Sequence, residues 1–236
     1  MSKKNGLIVG FTEIDKNRAS AHLEKLLPYL TSHQFALVGG IAIRYHLTQR
    51  GIGYPIRPFN DLDMIAKNAS VVSPSVTNDF LVYHYHPQIR DSFFIVLVDP
   101  QSKTKIDIFN YDPAPEKLIS VPFKGQQVEI VSIEDQLVKT ALDIRRISNE
   151  AKVDPKQFTD VELLMKIANL KEAEEIWRSK YFTRFQGSLS ETIKKAQYIA
   201  REHPDWLREK PFRKPKAYVC RDCHGTADFP ITPMED

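Results

Sequence analysis

The pattern of apolar and polar positions changes character a little past the middle of the chain. Up to about residue 131, short apolar runs alternate with turn-forming residues, which is typical of β-strands. Helical spacing of apolar positions predicts one helix over residues 18–30, capped by Asn17, and a second that follows Gly39-Gly40 and ends at Gly51. The predicted strands cover residues 35–38, 61–66, 80–85, 93–98, 104–109, 118–123 and 127–131.

Beyond residue 131 the apolar spacing is mainly helical. Ser132 and Asp135 form the Ser-x-x-Asp start of a helix, and Asp154-Pro155 predicts the start of another. Two more helices are expected over residues 171–180 and 189–202. The sequence therefore predicts an α+β fold, with a mixed sheet flanked by helices and then a mainly helical part. The expected divisions are residues 1–131, 132–203 and a basic, proline-rich tail over 204–236.

Composition and charge limit the class of protein without selecting a function. The 236 residues are 42% hydrophobic and 27% charged, with a net charge of +3, which fits a globular chain and does not require a nucleic-acid partner. The apolar runs are shorter than the roughly 18 residues of a membrane span, and the run after Lys3-Lys4 is too short for a signal peptide. We therefore expect a cytoplasmic protein without a membrane partner.

Three aspartates in apolar strands are the strongest candidates for chemistry. Asp61 and Asp63 alternate along one predicted strand, so their side chains share a face, and Asp107 lies in a similar setting. Neighbouring carboxylates about 4 Å apart repel by roughly 4 kcal/mol per pair at an effective dielectric constant near 20. A fold tolerates this repulsion if a divalent cation lies among the acids or if one acid keeps its proton.

These acids, together with two glycines, resemble the motifs of a known superfamily. Gly39-Gly40, Asp61-Leu-Asp63 and Lys105-Ile-Asp107 look like the DNA polymerase β-type nucleotidyltransferases. The pattern is most similar to the AbiEii-like branch, whose members include nucleotidyltransferase toxins of toxin–antitoxin systems. The resemblance covers residues 20–170. It departs from the family at Gly40, where many members carry serine, and at Asn60, where threonine or serine is commoner.

Three further residues match positions of this branch. Arg57 matches an arginine that precedes the Asp-x-Asp, while Lys139 and Asp160 match a lysine and an aspartate on two successive later helices. The resemblance thus implies a nucleotide-binding set made of Gly39, Gly40 and these three residues. Each of the three also has a structural alternative. Arg57 could brace the loop before the acids, Lys139 could pair with Asp135, and Asp160 could start a helix or orient Lys139.

The resemblance implies magnesium-dependent transfer of a nucleoside monophosphate from a triphosphate to an acceptor hydroxyl. Two Mg²⁺ ions are expected, with Asp61 and Asp63 holding both and Asp107 holding the ion that activates the acceptor. Gly39 and Gly40 would offer open backbone N–H groups to the triphosphate at a helix N-terminus, and Lys139 would contact the phosphates. The glycine pair on its own would equally suit a plain turn.

Two histidine and cysteine patterns are weaker candidates for metal binding. His84 and His86 share a strand face, but the sequence offers no evident third ligand. Cys220, Cys223 and His224 have the spacing of c-type haem attachment or, with help from His203 or a second chain, of a zinc site. Free thiols are the simpler interpretation. The basic and aromatic residues between 208 and 218 would suit either an RNA backbone or a solvated tail.

Three functions remain open from the sequence. The first is an AbiEii-like nucleotidyltransferase whose acceptor is an RNA end (tRNA in some relatives), a protein side chain or a small molecule, with an antitoxin protein as its partner. The second is an antibiotic-modifying adenylyltransferase of the aminoglycoside type, which would need an acidic pocket beyond Asp61, Asp63 and Asp107. The third is a non-catalytic relative that binds nucleotides or a partner protein, which would be favoured if Asp107 faced away from the other two acids.

Overall fold

Seven strands form one mixed sheet. The computed structural model describes residues 6–89, 92–110, 114–145, 155–185 and 187–204. The strands are β1 Phe35–Leu37, β2 Asp61–Ala66, β3 Leu81–Ile89, β4 Ser92–Val98, β5 Lys105–Asn110, β6 Leu118–Phe123 and β7 Gln126–Val131. Their order across the sheet is β3-β4-β5-β2-β1-β7-β6, with β2 parallel to β5 and β1 parallel to β7.

Six α-helices pack around this sheet in the described residues, which confirms the α+β fold. Two of them belong to the first part of the chain and four follow the last strand, as the apolar spacing predicted. They are α1 Glu13–Leu26, α2 Gly39–Gln49, α3 Ile133–Arg145, α4 Pro155–Met165, α5 Leu170–Phe185 and α6 Leu189–Glu202. None of the helices in these ranges is both long and apolar enough to span a bilayer.

Several element boundaries differ from the sequence prediction, among them the end of α1 at Leu26 and the end of α5 at Phe185. The first helix begins at Glu13 rather than near Arg18, because Thr12 and not Asn17 is its cap and accepts a hydrogen bond from the backbone N–H of Asp15 at 3.2 Å. Strand β3 continues to Ile89 because its backbone pairs with β4 beyond the predicted end at Tyr85. The predicted capping of α3 is confirmed, since Ser132 Oγ accepts from the N–H of Asp135 at 3.0 Å.

The two faces of the sheet have different environments. On one face, Leu62 and Ile106 belong to a large core that also contains Leu23 of α1. The alternate residues of β2 and β5 point to the opposite face, where Asp61, Asp63 and Asp107 therefore lie together. A second core joins α2 to the helices that follow β7. It contains Ile43, Leu47, Leu137, Ala141, Val161, Leu164, Trp177 and Ile193.

The expected division of the chain at residues 131 and 203 stays a prediction. The start of α3 at Ile133 and the second hydrophobic core are features that agree with a boundary near residue 131. The tail beyond residue 204, with Cys220, Cys223 and His224, lies outside the described residues.

Candidate active site

The three candidate acids converge because β2 and β5 run parallel and in register. Asp63 lies directly opposite Asp107, and Asp61 lies directly opposite Lys105. Asp107 is 7% exposed, Asp63 is partly exposed and Asp61 is exposed. Neighbouring strands are about 4.8 Å apart, so the acids form a group at one edge of the sheet face. Asp107 therefore lies on the same face as the other two acids. An Asp107 that faced away from them would have favoured a non-catalytic relative, and the structure does not have that arrangement.

Burial and the neighbouring acids both affect the ionisation of Asp63. Burial and the neighbouring Asp61 raise the pKa of Asp63 to about 7, against the opposite effect of Lys139 and Lys105. Burial also raises the pKa of Asp107, although Lys105 acts to lower it. The acids are thus poorly compensated by the protein itself, which leaves open both alternatives of the sequence analysis, a divalent cation among the acids or an acid that keeps its proton.

Lys105 is the closest counter-charge to these acids. Its Nζ lies 2.6 Å from Asp107 Oδ2, and its side chain is 48% exposed. Burial acts to lower the pKa of Lys105, but Asp107, Asp61 and Asp63 outweigh burial and raise it. This contact could have been predicted from the sequence motif Lys105-Ile-Asp107, because residues two apart on a strand share a face.

The residues suit magnesium in their chemistry, but they do not form a complete metal cage. Carboxylate oxygens are the ligands that Mg²⁺ prefers, and Asp107 Oδ1 is buried without a hydrogen-bond partner. Among the described residues, however, no three His, Cys, Asp or Glu side chains are already arranged around a common metal position. Asp107 Oδ2 is taken by Lys105 instead. Asp61, Asp63 and Asp107 therefore offer the oxygen ligands of a Mg²⁺ site, but the described residues do not show that site formed.

The glycine turn differs from the sequence prediction at Gly39. The prediction that its N–H is open to a phosphate is wrong, because this group donates to Gln136 Oε1 at 2.9 Å. Gly39 has φ +65°, and a Cβ on it would clash with Asp63 Oδ2. A Cβ on Gly40 would meet no atom within 4 Å. Gly39 is therefore required for close approach to Asp63, while Gly40 leaves open space at the N-terminus of α2.

Arg57 and Asp160 contact each other, which supports the structural alternative for Arg57 and gives Asp160 a partner that the sequence analysis did not name. Arg57 Nη1 lies 3.0 Å from Asp160 Oδ1, and the hydroxyl of Tyr54 donates to the same oxygen at 2.7 Å. Burial raises the pKa of Asp160, against the effect of Tyr54 and Arg57. Asp160 lies inside α4 rather than at its start. The pair therefore braces the loop before β2 against α4.

Lys139 lies on the helical wall of the site. It is close enough to Asp63 to lower the pKa of that acid, and its Nζ is 3.6 Å from Asp143 Oδ2 one turn along α3. The alternative that Lys139 pairs with Asp135 is wrong, because Asp135 pairs with Lys180 at 3.2 Å. Lys139 is 41% exposed at its side chain, so a bound anion can reach it.

All eight candidate residues line one cleft of about 1480 Å³ between the sheet face and the helices. The cleft also contains residues that the sequence analysis missed, including Gln136, Tyr54 and Lys180. Each acts through a contact to a residue distant in the chain, for which a single sequence carries no signal. The candidates in the cleft are Gly39, Gly40, Arg57, Asp61, Asp63, Asp107, Lys139 and Asp160.

The histidine pattern on β3 gains no support from the structure. His84 is buried, and its ring lies 5.6 Å from that of Phe94 in a tilted arrangement. In the described residues, no cluster of three or more His, Cys, Asp or Glu side chains suited to a metal ion includes His84. The side chain of His86, like the Cys-x-x-Cys-His segment, lies outside the described part of the chain.

Comparison with known proteins gives similarity in fold only. No family model and no curated protein sequence matches the chain. A solved antigenic nucleotidyltransferase-like protein from Paracoccidioides brasiliensis is 17% identical, with 83% of this chain and 91% of that chain covered and a TM-score of 0.43. The antibiotic-resistance factor ANT(2'')-Ia is 14% identical, with 81% and 99% covered and a TM-score of 0.45. At these levels neither neighbour assigns an activity to this chain.

Proposed function

We propose that this protein is a magnesium-dependent nucleotidyltransferase that moves a nucleoside monophosphate from a triphosphate to an acceptor hydroxyl. The observation that carries the proposal is the register of two parallel strands, which sets Asp63 opposite Asp107 with Asp61 on the same face. These acids open into a cleft that also contains the N-terminus of α2 and Lys139. Carboxylates, a helix N-terminus and a lysine are together the groups that bind a metal–triphosphate complex.

Each residue of the site has a separate task in this reaction. Asp61, Asp63 and Asp107 would hold two Mg²⁺ ions, which when bound neutralise the charge on the phosphates and acidify the acceptor hydroxyl. The buried Asp107 Oδ1, which has no hydrogen-bond partner, is suited to bind an ion or accept the acceptor's proton. Gly40 at the start of α2 leaves room for the triphosphate, and Lys139 would bind a phosphate oxygen.

The charges of the cleft favour an anionic acceptor over a cationic one. Apart from the three candidate metal ligands, the acidic residues that line it are Asp135, Asp143 and Asp160. These pair with Lys180, Lys139 and Arg57, respectively. A positively charged aminoglycoside would therefore find Asp135 and Asp160 already paired, and only Asp143 would lose its partner when Lys139 binds a phosphate. We accordingly favour an RNA end as the acceptor over an antibiotic.

The resemblance to the AbiEii-like branch, whose members include toxins, is the support for a physiological role. In that role the proposed activity would act on cellular RNA, and an antitoxin protein would restrain it. The pairing of Asp61, Asp63 and Asp107 on one face supports the activity itself and is independent of this role.

Labelled nucleotide transfer tests the proposal directly. The full-length protein is incubated with Mg²⁺, each α-labelled nucleoside triphosphate and total RNA, with aminoglycosides and protein as alternative acceptors. We expect label in RNA, and a loss of at least about 100-fold in D61N and D63N, since each removes a charge that stabilises the transition state. Glu175→Gln on the exposed face of α5 is the control.

The outcomes of this experiment are distinct. Label on aminoglycosides alone would replace the RNA acceptor by an antibiotic. Transfer that is unchanged in D61N and D63N would contradict the metal assignment, and no transfer to any acceptor would favour the non-catalytic alternative.

A further inference from the structure

We propose that Lys105 is an internal counter-cation that contacts Asp107 where a divalent ion would bind. Lys105 must then release this acid before the ion can bind. The inference rests on the proposed metal site and names a residue that regulates how the site fills. It concerns the order of events before catalysis and is separate from the identity of the acceptor.

The geometry places one positive charge among three negative ones. Lys105 Nζ is 2.6 Å from Asp107 Oδ2, and Lys105 itself lies opposite Asp61 across the β2–β5 pair. The ammonium group therefore neutralises part of the repulsion that a metal ion would otherwise relieve.

Lys105 contacts one oxygen of Asp107, Oδ2, while the other, Oδ1, is buried without a hydrogen-bond partner. A divalent ion at either oxygen would lie within a few ångströms of the ammonium nitrogen, where two positive charges repel strongly.

Release of Asp107 requires only a side-chain movement. The Lys105 side chain is 48% exposed, whereas that of Asp107 is 9% exposed. The lysine can therefore rotate into water, which solvates an ammonium group well, while the aspartate stays in place on β5. Lys105 is thus a positioning residue that acts through Asp107 and does not need to touch the substrate.

Metal binding without turnover tests this inference. Mn²⁺ affinity of the full-length protein is measured by isothermal titration calorimetry for the wild type and for Lys105→Met. We expect Mn²⁺ to bind about tenfold more tightly to K105M, because the competing positive charge is gone. Lys105→Arg, which keeps the charge, should bind no more tightly than the wild type.

A matched control removes the same charge elsewhere on the same sheet. Lys67 is exposed and directly follows the far end of β2. It is about 20 Å along the strand from Asp61, beyond the screening length of about 10 Å at 0.1 M salt. Lys67→Met should therefore leave the Mn²⁺ affinity unchanged. The double variant D63N/K105M should lose the tight Mn²⁺ binding. That loss would show that Mn²⁺ binds at the acids.

Thermal unfolding gives a second readout. Without metal, K105M should unfold at a lower temperature than the wild type, since three carboxylates lose their nearest counter-charge. Saturating Mn²⁺ should then raise its Tm by more than it raises that of the wild type.

The competing outcomes are clear. If K105M binds Mn²⁺ with wild-type affinity but binds triphosphates more weakly, Lys105 is a phosphate ligand and the inference is wrong. If neither protein binds Mn²⁺ at the acids, the inference is also wrong. Failure of the proposed function would appear differently, as Mn²⁺ binding that depends on Lys105 in a protein that transfers no nucleotide.

Discussion

Gly39 places the backbone against the carboxylate of Asp63. A Cβ at this position would overlap Asp63 Oδ2, so there is no space for any side chain, and φ +65° is a conformation that costs other L-residues about 1–2 kcal/mol. Gly40, the next residue, has neither constraint. The two adjacent glycines look equivalent in the sequence, but only Gly39 is required by the backbone conformation and by the contact with Asp63.

Alanine substitutions separate the two glycines. Gly39→Ala should lower the free energy of unfolding by about 2–4 kcal/mol, because the left-handed backbone and the contact with Asp63 both oppose a methyl group. Gly40→Ala should be neutral or stabilise by up to about 1 kcal/mol, since it lies in open space at the start of α2. Urea unfolding measures both. Equal effects of the two substitutions would contradict this account of the turn.

Strands and helices were predictable where their signal is local. Strand β2 was predicted with its observed bounds because its ends are marked by a loop rich in glycine and proline and by the polar Lys67. The start of α1 was missed because Ile14 in its first turn is 79% exposed and breaks the apolar spacing. The extension of β3 depends on pairing with β4, which no pattern within β3 itself can reveal.

The contact between Arg57 and Asp160 joins two elements that are far apart in the sequence. Arg57 belongs to the loop before β2, and Asp160 lies on α4 with 8% of its side chain exposed. The backbone C=O of Arg57 also accepts from Arg44 of α2 at 3.0 Å. The loop that leads into Asp61 is therefore held from two helices at once.

Removing the charge of Asp160 should weaken this connection. Asp160→Asn should lower the free energy of unfolding by about 1–3 kcal/mol, because Arg57 keeps its charge in a largely buried position without a counter-ion. Glu162→Gln, on the exposed side of the same helix, should change it by less than about 0.5 kcal/mol. Urea unfolding of both variants measures the difference. A wild-type stability for D160N would show that the pair does not brace the loop.

The two largest hydrophobic cores of the described residues lie on either side of the candidate site, and a smaller third cluster contains Val38, Ile65 and Val131. One core lies on the far side of the sheet under α1, and the other joins α2 to the helices that follow β7. The three acids were predictable as a group from strand alternation and the resemblance. Their actual partners were not, because the bond from Gly39 to Gln136 and the pair of Arg57 with Asp160 join residues about 100 positions apart.

A ligand that bridges the cleft should stabilise both cores together. The sheet contributes Asp61, Asp63 and Asp107, and α3 contributes Lys139 from the opposite wall. Mg²⁺ with a nucleoside triphosphate at 100 times its Kd should add about 2.7 kcal/mol, which for a chain of this size raises Tm by about 5–10 °C. Differential scanning calorimetry measures the shift.

Two controls assign the stabilisation to the bridging complex. The same triphosphate with a chelator in place of Mg²⁺ should give little of the shift, because the carboxylates of Asp61, Asp63 and Asp107 repel bare phosphates. D63N should lose most of the shift, since it removes one of the ligands that connect the metal to the sheet. A full shift in D63N would place the triphosphate away from the acids, and the cleft would then bind nucleotides without the metal chemistry proposed for it.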